Sequence, residues 1–196
     1  QMTVQDIVAG GPRYRVTGTG YDTEGEIFEG DEKADLAKNL ALQELLKAGI
    51  LCNDSVIKET AEGWRVEGDP TEGALITSAL KAGYERKKLE KEMPRLDTIP
   101  FESERQYMAT LHDQGEGKPR VVYVKGSVES ICVECNMIFG PDGEPAIPGR
   151  EEVMGWVESM ADKGLRVLAF ARKELSPETT GIAHADIEQG LEFIGL

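Results

Sequence analysis

Apolar residues recur along this chain with two alternating periods. From Lys33 to Leu51 the positions Leu36, Leu40, Leu45, Leu46 and Ile50 fall at helical spacing, which predicts a helix capped by Asp31 and ending at Gly49. Asp69-Pro70-Thr71-Glu72 carries a cap, a proline suited to the first helical position and an acid three residues after the cap, so a second helix is expected from Pro70 to Tyr84. The lysine-rich stretch Arg86 to Lys91 continues as a helical or solvated segment closed by Pro94. Ser127 to Cys135, capped by Ser127, and Glu151 to Lys163, through Val153, Trp156, Val157 and Met160, complete the helical set.

Between these helices lie short runs rich in strand formers. Turn signals at Gly10-Gly11-Pro12 and Gly18-x-Gly20 bracket Tyr14 to Thr17, which with Glu26 to Glu29 reads as an opening hairpin. Trp64 to Glu67, Leu96 to Phe101, Gln106 to His112, Val121 to Lys125, Leu165 to Lys173 and Leu191 to Leu196 are further predicted strands, with Pro141-Asp142-Gly143 a turn and Ser176 to His184 a surface loop. Hairpins and helices are mixed instead of alternating. That order predicts an α+β fold, an antiparallel-dominated mixed β-sheet flanked by helices.

Composition narrows the picture. A chain of 196 residues with 40% hydrophobic content suits one domain, residues 1–196. Its longest apolar run, Leu165 to Phe170, is interrupted by Arg166 and is far shorter than the roughly 18 to 20 residues of a membrane span. No basic and apolar leader opens it, so a cytosolic location is expected. Thirty-six acidic against 22 basic residues give a net charge of -14, which repels nucleic acid. A single nucleotide remains admissible, because salt screens the net field beyond about 8 Å. Cys52, Cys132 and Cys135 are odd in number and read as reduced, buried core thiols. A thiol redox or metal-binding role for the Cys132-x-x-Cys135 pair is the remote rival.

The chain holds no glycine-rich phosphate loop, no His-Glu-x-x-His and no Gly-x-Ser-x-Gly. Four segments stand out instead. Phe101, leading the charged turn before Met108, is either a base-stacking platform or a core residue at a strand end. Lys125 offers a cation to phosphate or a face to adenine, with Gly126 letting a ligand approach the backbone; alternatively Lys125 only snorkels from a strand end. Glu72 either meets a ligand or completes a capping box. Arg166, a charge within a strand otherwise fit for burial, calls for a phosphate or a neighbouring carboxylate.

In order along nearly the whole chain, these segments resemble the nucleotide-binding (N) domain of P-type cation-transporting ATPases, in the branch of the calcium and sodium/potassium pumps. Gly68-Asp69-Pro70-Thr71-Glu72-Gly73-Ala74-Leu75 is similar to that family's helix-opening signature, whose glutamate approaches the adenine amino group. Phe101 with Ser103, Arg105 and Met108 is similar to its Phe-Asp/Ser-Ser-x-Arg-Lys-x-Met segment, whose phenylalanine stacks on adenine. Lys125-Gly126 and Glu129 match the ends of Lys-Gly-Ala-Pro-Glu, whose lysine lines the back of the pocket, and Gly164-Leu165-Arg166-Val167-Leu168-Ala169 resembles the segment whose arginine reaches the phosphates. Two departures stand against this: Ser127-Val128 replaces Ala-Pro, and Gln106 replaces a lysine.

The resemblance implies that Glu72, Phe101, Ser103, Arg105, Met108, Lys125, Gly126 and Arg166 bind ATP, and that no catalytic or metal-ligating residue lies in this chain. Gln1-Met2-Thr3-Val4 resembles the stretch directly after the family's phosphorylated Asp-Lys-Thr-Gly-Thr motif, and Leu191 to Leu196 resembles the strand re-entering the phosphorylation domain. The implied molecule is a cytoplasmic domain of an integral membrane pump, monomeric when isolated and unable to hydrolyse ATP alone. Its partners are the phosphorylation and actuator domains of the same polypeptide, the former holding most of the magnesium of Mg-ATP. The alternative is a non-catalytic regulatory or interaction module on the same fold.

Overall fold

Short strands and tight turns fill the start of the chain in the computed structural model, which describes residues 1–147 and 149–196. β1 (Asp6–Val8), β2 (Arg13–Val16), β3 (Ile27–Glu29) and β4 (Glu32–Lys33) form a four-stranded antiparallel sheet in chain order. The predicted hairpin is its centre. The helix expected from Lys33 begins later: Lys33 pairs with Phe28, a 3-10 turn covers Leu36–Lys38, and α1 runs Leu40–Leu51. Asn39 sets that boundary. Its extended backbone interrupts the helical pattern, its side-chain oxygen accepts from Leu42 N–H at 3.1 Å, and its amide donates to the Ala9 carbonyl at 2.9 Å and to Tyr14 Oη at 2.7 Å.

β5 (Val56–Thr60) and β6 (Gly63–Glu67) form a separate hairpin, followed by α2 (Pro70–Lys81) and α3 (Arg86–Glu92). Then come β7 (Arg95–Ile99), β8 (Tyr107–His112), β9 (Arg120–Gly126), α4 (Val128–Glu134), β10 (Cys135–Phe139), β11 (Pro145–Ala146), α5 (Arg150–Asp162), β12 (Ala169–Leu175), α6 (His184–Ile187) and β13 (Leu191–Gly195). The large sheet has the order β11-β10-β13-β12-β9-β8-β7, with β10 parallel to β13 and the other pairings antiparallel. The α+β architecture and its antiparallel-dominated mixed sheet are those the sequence predicts.

The strand expected from Leu165 starts only at Ala169. Gly164, at φ 73°, ends the helical path of α5. Ala169 pairs with Gly126, the last residue of β9, so residues 165–168 lie beyond the end of their neighbour strand and have no ladder to join. Cys52 is buried in the core, whereas Cys132 and Cys135 are only half-buried, because they border a cavity of about 380 Å³ between α4 and α5 that keeps one side of each open. Among the described residues no helix is long and apolar enough to cross a membrane.

Period-two alternation gives the large sheet two buried faces. Val121 and Tyr123 of β9 pack with Leu45, Leu46 and Ile76 of α1 and α2; Val122 and Val124 pack with Val128, Ile131, Val153 and Met160 of α4 and α5. His112, 1% exposed, sits at the end of β8 on this plan, with Nδ1 3.0 Å from the Met93 carbonyl and Nε2 2.8 Å from Thr110 Oγ1. Burial lowers its pKa from 6.5 to about 4, so the unfolded chain takes up the proton first.

The stability contributed by neutral His112 is therefore whole above pH 6.5 and is lost as pH falls toward about 4, by an amount on the order of 3 kcal/mol. Urea midpoints measured across that window should fall more steeply in the wild type than in His112→Gln. Parallel curves would show that His112 is not held neutral by the fold.

Candidate functional site

The period that buries Val121 and Tyr123 sends Lys125 to the same face, at the last turn of β9 before Gly126. In the sheet Lys125 lies between Met108 of β8 and Phe170 of β12. A charge in that position needs partners. Its ammonium, 7% exposed with the residue, donates to the Cys52 carbonyl at 2.7 Å and to Glu72 Oε2 at 2.7 Å. Cys52 caps the C-terminal end of α1, where unpaired carbonyls concentrate negative charge.

Glu72 is in the first turn of α2, yet it does not close a capping box. Asp69 accepts from Thr71 N–H and Glu72 N–H at 2.7 and 3.2 Å, while Asp69 N–H donates to Ser55 Oγ at 2.8 Å. The Glu72 carboxylate is thereby released toward the sheet, where it accepts from Ser55 Oγ at 3.0 Å, from Asp54 N–H at 3.2 Å and from Lys125. Asn53, Asp54 and Ser55 form a polar hub: Arg95 donates to the Leu51 and Asn53 carbonyls at 2.8 and 3.0 Å, and Arg86 to the Ser55 carbonyl. Sequence reading passed over Ser55, because its signal is only a polar run after a helix; its importance arises from Gly68 and Asp69 folding back upon it.

Two other segments meet Lys125 at this end of the sheet by register. Tyr107, Gly126 and Ala169 are paired across β8, β9 and β12. The Pro100–Gln106 loop enters β8 there, β9 delivers Lys125 and Gly126 there, and residues 164–168 enter β12 there. Phe101 is 60% exposed, as fits a side chain with no place in the core, and Ser103 and Arg105 share its exposed loop. Arg105 donates to Glu188 Oε1 at 3.2 Å. Met108, by contrast, is buried, and its carbonyl faces Cys52 Sγ at 3.6 Å.

Gly126 is required by the protein itself: a Cβ there would stand 2.3 Å from the Gln106 carbonyl oxygen and 2.8 Å from Tyr107 Cα. That close approach of β8, and not room for a ligand, explains the absence of a side chain. Ser127 caps α4 by accepting from Ser130 N–H at 3.1 Å, and Val128 is buried beneath it. Arg166 is exposed on its irregular segment, where the sequence pattern had put it within a strand; it lines a cavity of about 340 Å³ together with Thr71, Ser78, Leu168 and the first residues of the chain. Thr71 is adjacent to Glu72, so that cavity and the Lys125–Glu72 ion pair flank the same turn of α2. Thr71 and Leu168 are site neighbours that no local motif distinguished from capping and core residues.

The profile of the family described as "P-type ATPase, cytoplasmic domain N" matches residues 41–196. The chain is 49% identical over its full length to the cation-transporting ATPase pma1 of Synechocystis sp., covering 22% of that protein. It is 40% identical over 86% of its length to the probable cation-transporting ATPase F of Mycobacterium tuberculosis, covering 19% of it, and 30% identical over its full length to a calcium-transporting ATPase of Bacillus subtilis, covering 22% of it. The chain thus spans about a fifth of the length of these curated relatives.

The Lys125 side chain is 9% exposed and that of Glu72 18%, so removing one partner strands the other's charge. Lys125→Ala is expected to lower the unfolding free energy by about 3 kcal/mol, with the Glu72→Gln substitution recovering part of that loss when combined with it. Urea unfolding of the two single variants and the double variant measures this. Additive losses would mean that the pair contributes no coupling.

Proposed function

The chain belongs to the P-type ATPases, as the N domain of their cytoplasmic part, and on that premise we propose that the Lys125 end of the large sheet binds ATP. The observation that carries this reading is the convergence itself: one register line, Tyr107–Gly126–Ala169, gathers an exposed aromatic, a buried ammonium and the Arg166 segment at one end of the sheet. A carboxylate joins them through the ion pair.

In this reading Phe101 stacks on adenine and Glu72 takes the adenine amino group. Lys125 has three donors, of which Cys52 and Glu72 take two, leaving one for the nucleotide. Arg166 and Arg105 answer the phosphate charge, with Ser103 beside them, while Met108 and Gly126 form the floor. The local cations act against a chain of net charge -14, which screening over about 8 Å permits.

The domain contributes positioning. The γ-phosphate is delivered to an aspartate on the phosphorylation domain of the parent polypeptide, where most of the magnesium of Mg-ATP is held, and none of the residues named here makes or breaks a covalent bond. Coupling of hydrolysis to cation transport, the membrane location of the parent pump, and contacts with its phosphorylation and actuator domains are proposed for the whole protein. Residues 1–196 are read as one nucleotide-binding unit, monomeric when isolated.

Phe101 is the cleanest probe, since its exposure means that truncation removes little core packing. ATP should bind the chain saturably and in preference to GTP, with a constant toward the millimolar scale of about -4 kcal/mol. Phe101→Ala should cost about 1 to 3 kcal/mol of that binding while leaving the urea midpoint nearly unchanged. Isothermal calorimetry measures both ligands. A chain that binds neither nucleotide would instead be an interaction module on the same fold.

A further inference from the structure

The Pro100–Gln106 loop is exposed at every residue, and its end is tied to the start of α4 by the Gln106 carbonyl, which accepts from Ser127 N–H at 3.0 Å; no core packing holds the residues before it. Within the loop, Arg105 N–H and Gln106 N–H both donate to the Glu102 carbonyl, at 3.1 and 2.7 Å, and Gln106 adopts φ 56°. That turn shapes the loop but does not aim it. Two of its charged side chains, Glu102 and Arg105, pair with each other at 3.7 Å and also reach outward to one segment. His184 Nε2 lies 3.8 Å from Glu102 Oε1, and Arg105 donates to Glu188 Oε1 at 3.2 Å.

Tyr107, the first residue of β8, completes the contact. Its hydroxyl meets His184 Nδ1, and the two rings pack edge to face at 5.7 Å and 68°. Burial holds the phenol above its ordinary pKa, against the lowering influence of Arg105.

The segment these groups reach is itself fixed to the sheet. Ile187 is 1% exposed, and Lys173 of β12 donates to the Asp186 and Gln189 carbonyls at 2.9 and 2.8 Å. Asp97 of β7 accepts from Ile182 N–H at 2.8 Å. β7 is the strand that leads into Phe101, so the strand before the loop, the loop and the strand after it are all tied to residues 182–188.

We propose that the segment Ile182–Glu188, with His184 at its centre, is a brace that holds the Phe101 loop in its nucleotide-binding position. This rests on the reading of Phe101 as the adenine platform. His184 is a positioning residue: it acts on ATP through Glu102 and Tyr107 and not by contact. An unbraced loop divides its time among positions, and the apparent dissociation constant rises by the inverse of the competent fraction. The brace belongs to the tail of the predicted surface loop, where its sequence marks, a lone histidine and an acid, are ordinary.

The test is ATP affinity by amide chemical-shift titration, which reads millimolar constants, in the wild type, His184→Ala, Phe101→Ala and the double variant, with Glu188→Gln as a variant that leaves the imidazole packing intact. His184→Ala should weaken binding about threefold to tenfold when Phe101 is present and less than about twofold when it is absent. Glu188→Gln should weaken it in the same direction. Amide exchange in residues 101–106 should quicken in His184→Ala, with β8 and β9 unchanged. Unaltered affinity in both His184→Ala and Glu188→Gln, or an equal loss with and without Phe101, would overturn the brace. If Phe101→Ala itself binds ATP as tightly as the wild type, the adenine reading falls and takes the brace with it.

Discussion

The arrangement around the candidate site depends on one buried ammonium. Lys125 occupies a position where strand period demands an apolar residue, on the face that carries Val121 and Tyr123. Removing that charge from water is expensive, and the offset comes from two oxygens of opposite origin, a helix-end carbonyl on Cys52 and the carboxylate of Glu72. Because those oxygens belong to the end of α1 and the start of α2, one side chain fixes where two helices meet the sheet. The Asn53–Ser55 hub, held by Arg86 and Arg95, maintains that junction from the outside.

Function on this account follows from where strands end. β8, β9 and β12 reach one line at Tyr107, Gly126 and Ala169, and the segments beyond that line are irregular because no neighbouring ladder continues. Irregular backbone above a rigid sheet is the usual place for binding groups, since the scaffold sets position and the loops supply chemistry. Gly126 shows how tight that line is: the β8 backbone fills the space a side chain would need. A site assembled this way would be preorganised at its back, around buried Lys125, and exposed at its front, around Phe101. The contacts of residues 182–188 bear on that front.

Much of this was legible in the sequence. The helix start at Asp69-Pro70, the strands around Lys125 and the α+β order follow from capping chemistry and hydrophobic period, which are local. Apart from Cys132 and Cys135, which a cavity leaves half-buried, the departures share one cause. Asn39 broke an apparent helix because its side chain satisfies groups on Ala9, just past β1, and Tyr14 of β2, thirty and twenty-five residues away in sequence. Arg166 looked like a strand residue because the apolar run Leu165–Phe170 does not reveal that its neighbour strand stops at Gly126. Of the two readings the sequence leaves open for Glu72, the capping box fails because Ser55, brought up by tertiary folding, takes the Asp69 N–H instead. Pairing partners distant in sequence decided each case, and no single-segment pattern carries them.

The most direct measurement is a map of backbone amide shifts in the labelled chain as ATP is added. The account predicts saturable changes confined to residues 71–72, 100–108, 125–126 and 164–169, with the cavity between α4 and α5 silent. Changes centred elsewhere, or none at saturating nucleotide, would contradict the assignment of the Lys125 end of the sheet as the ATP site.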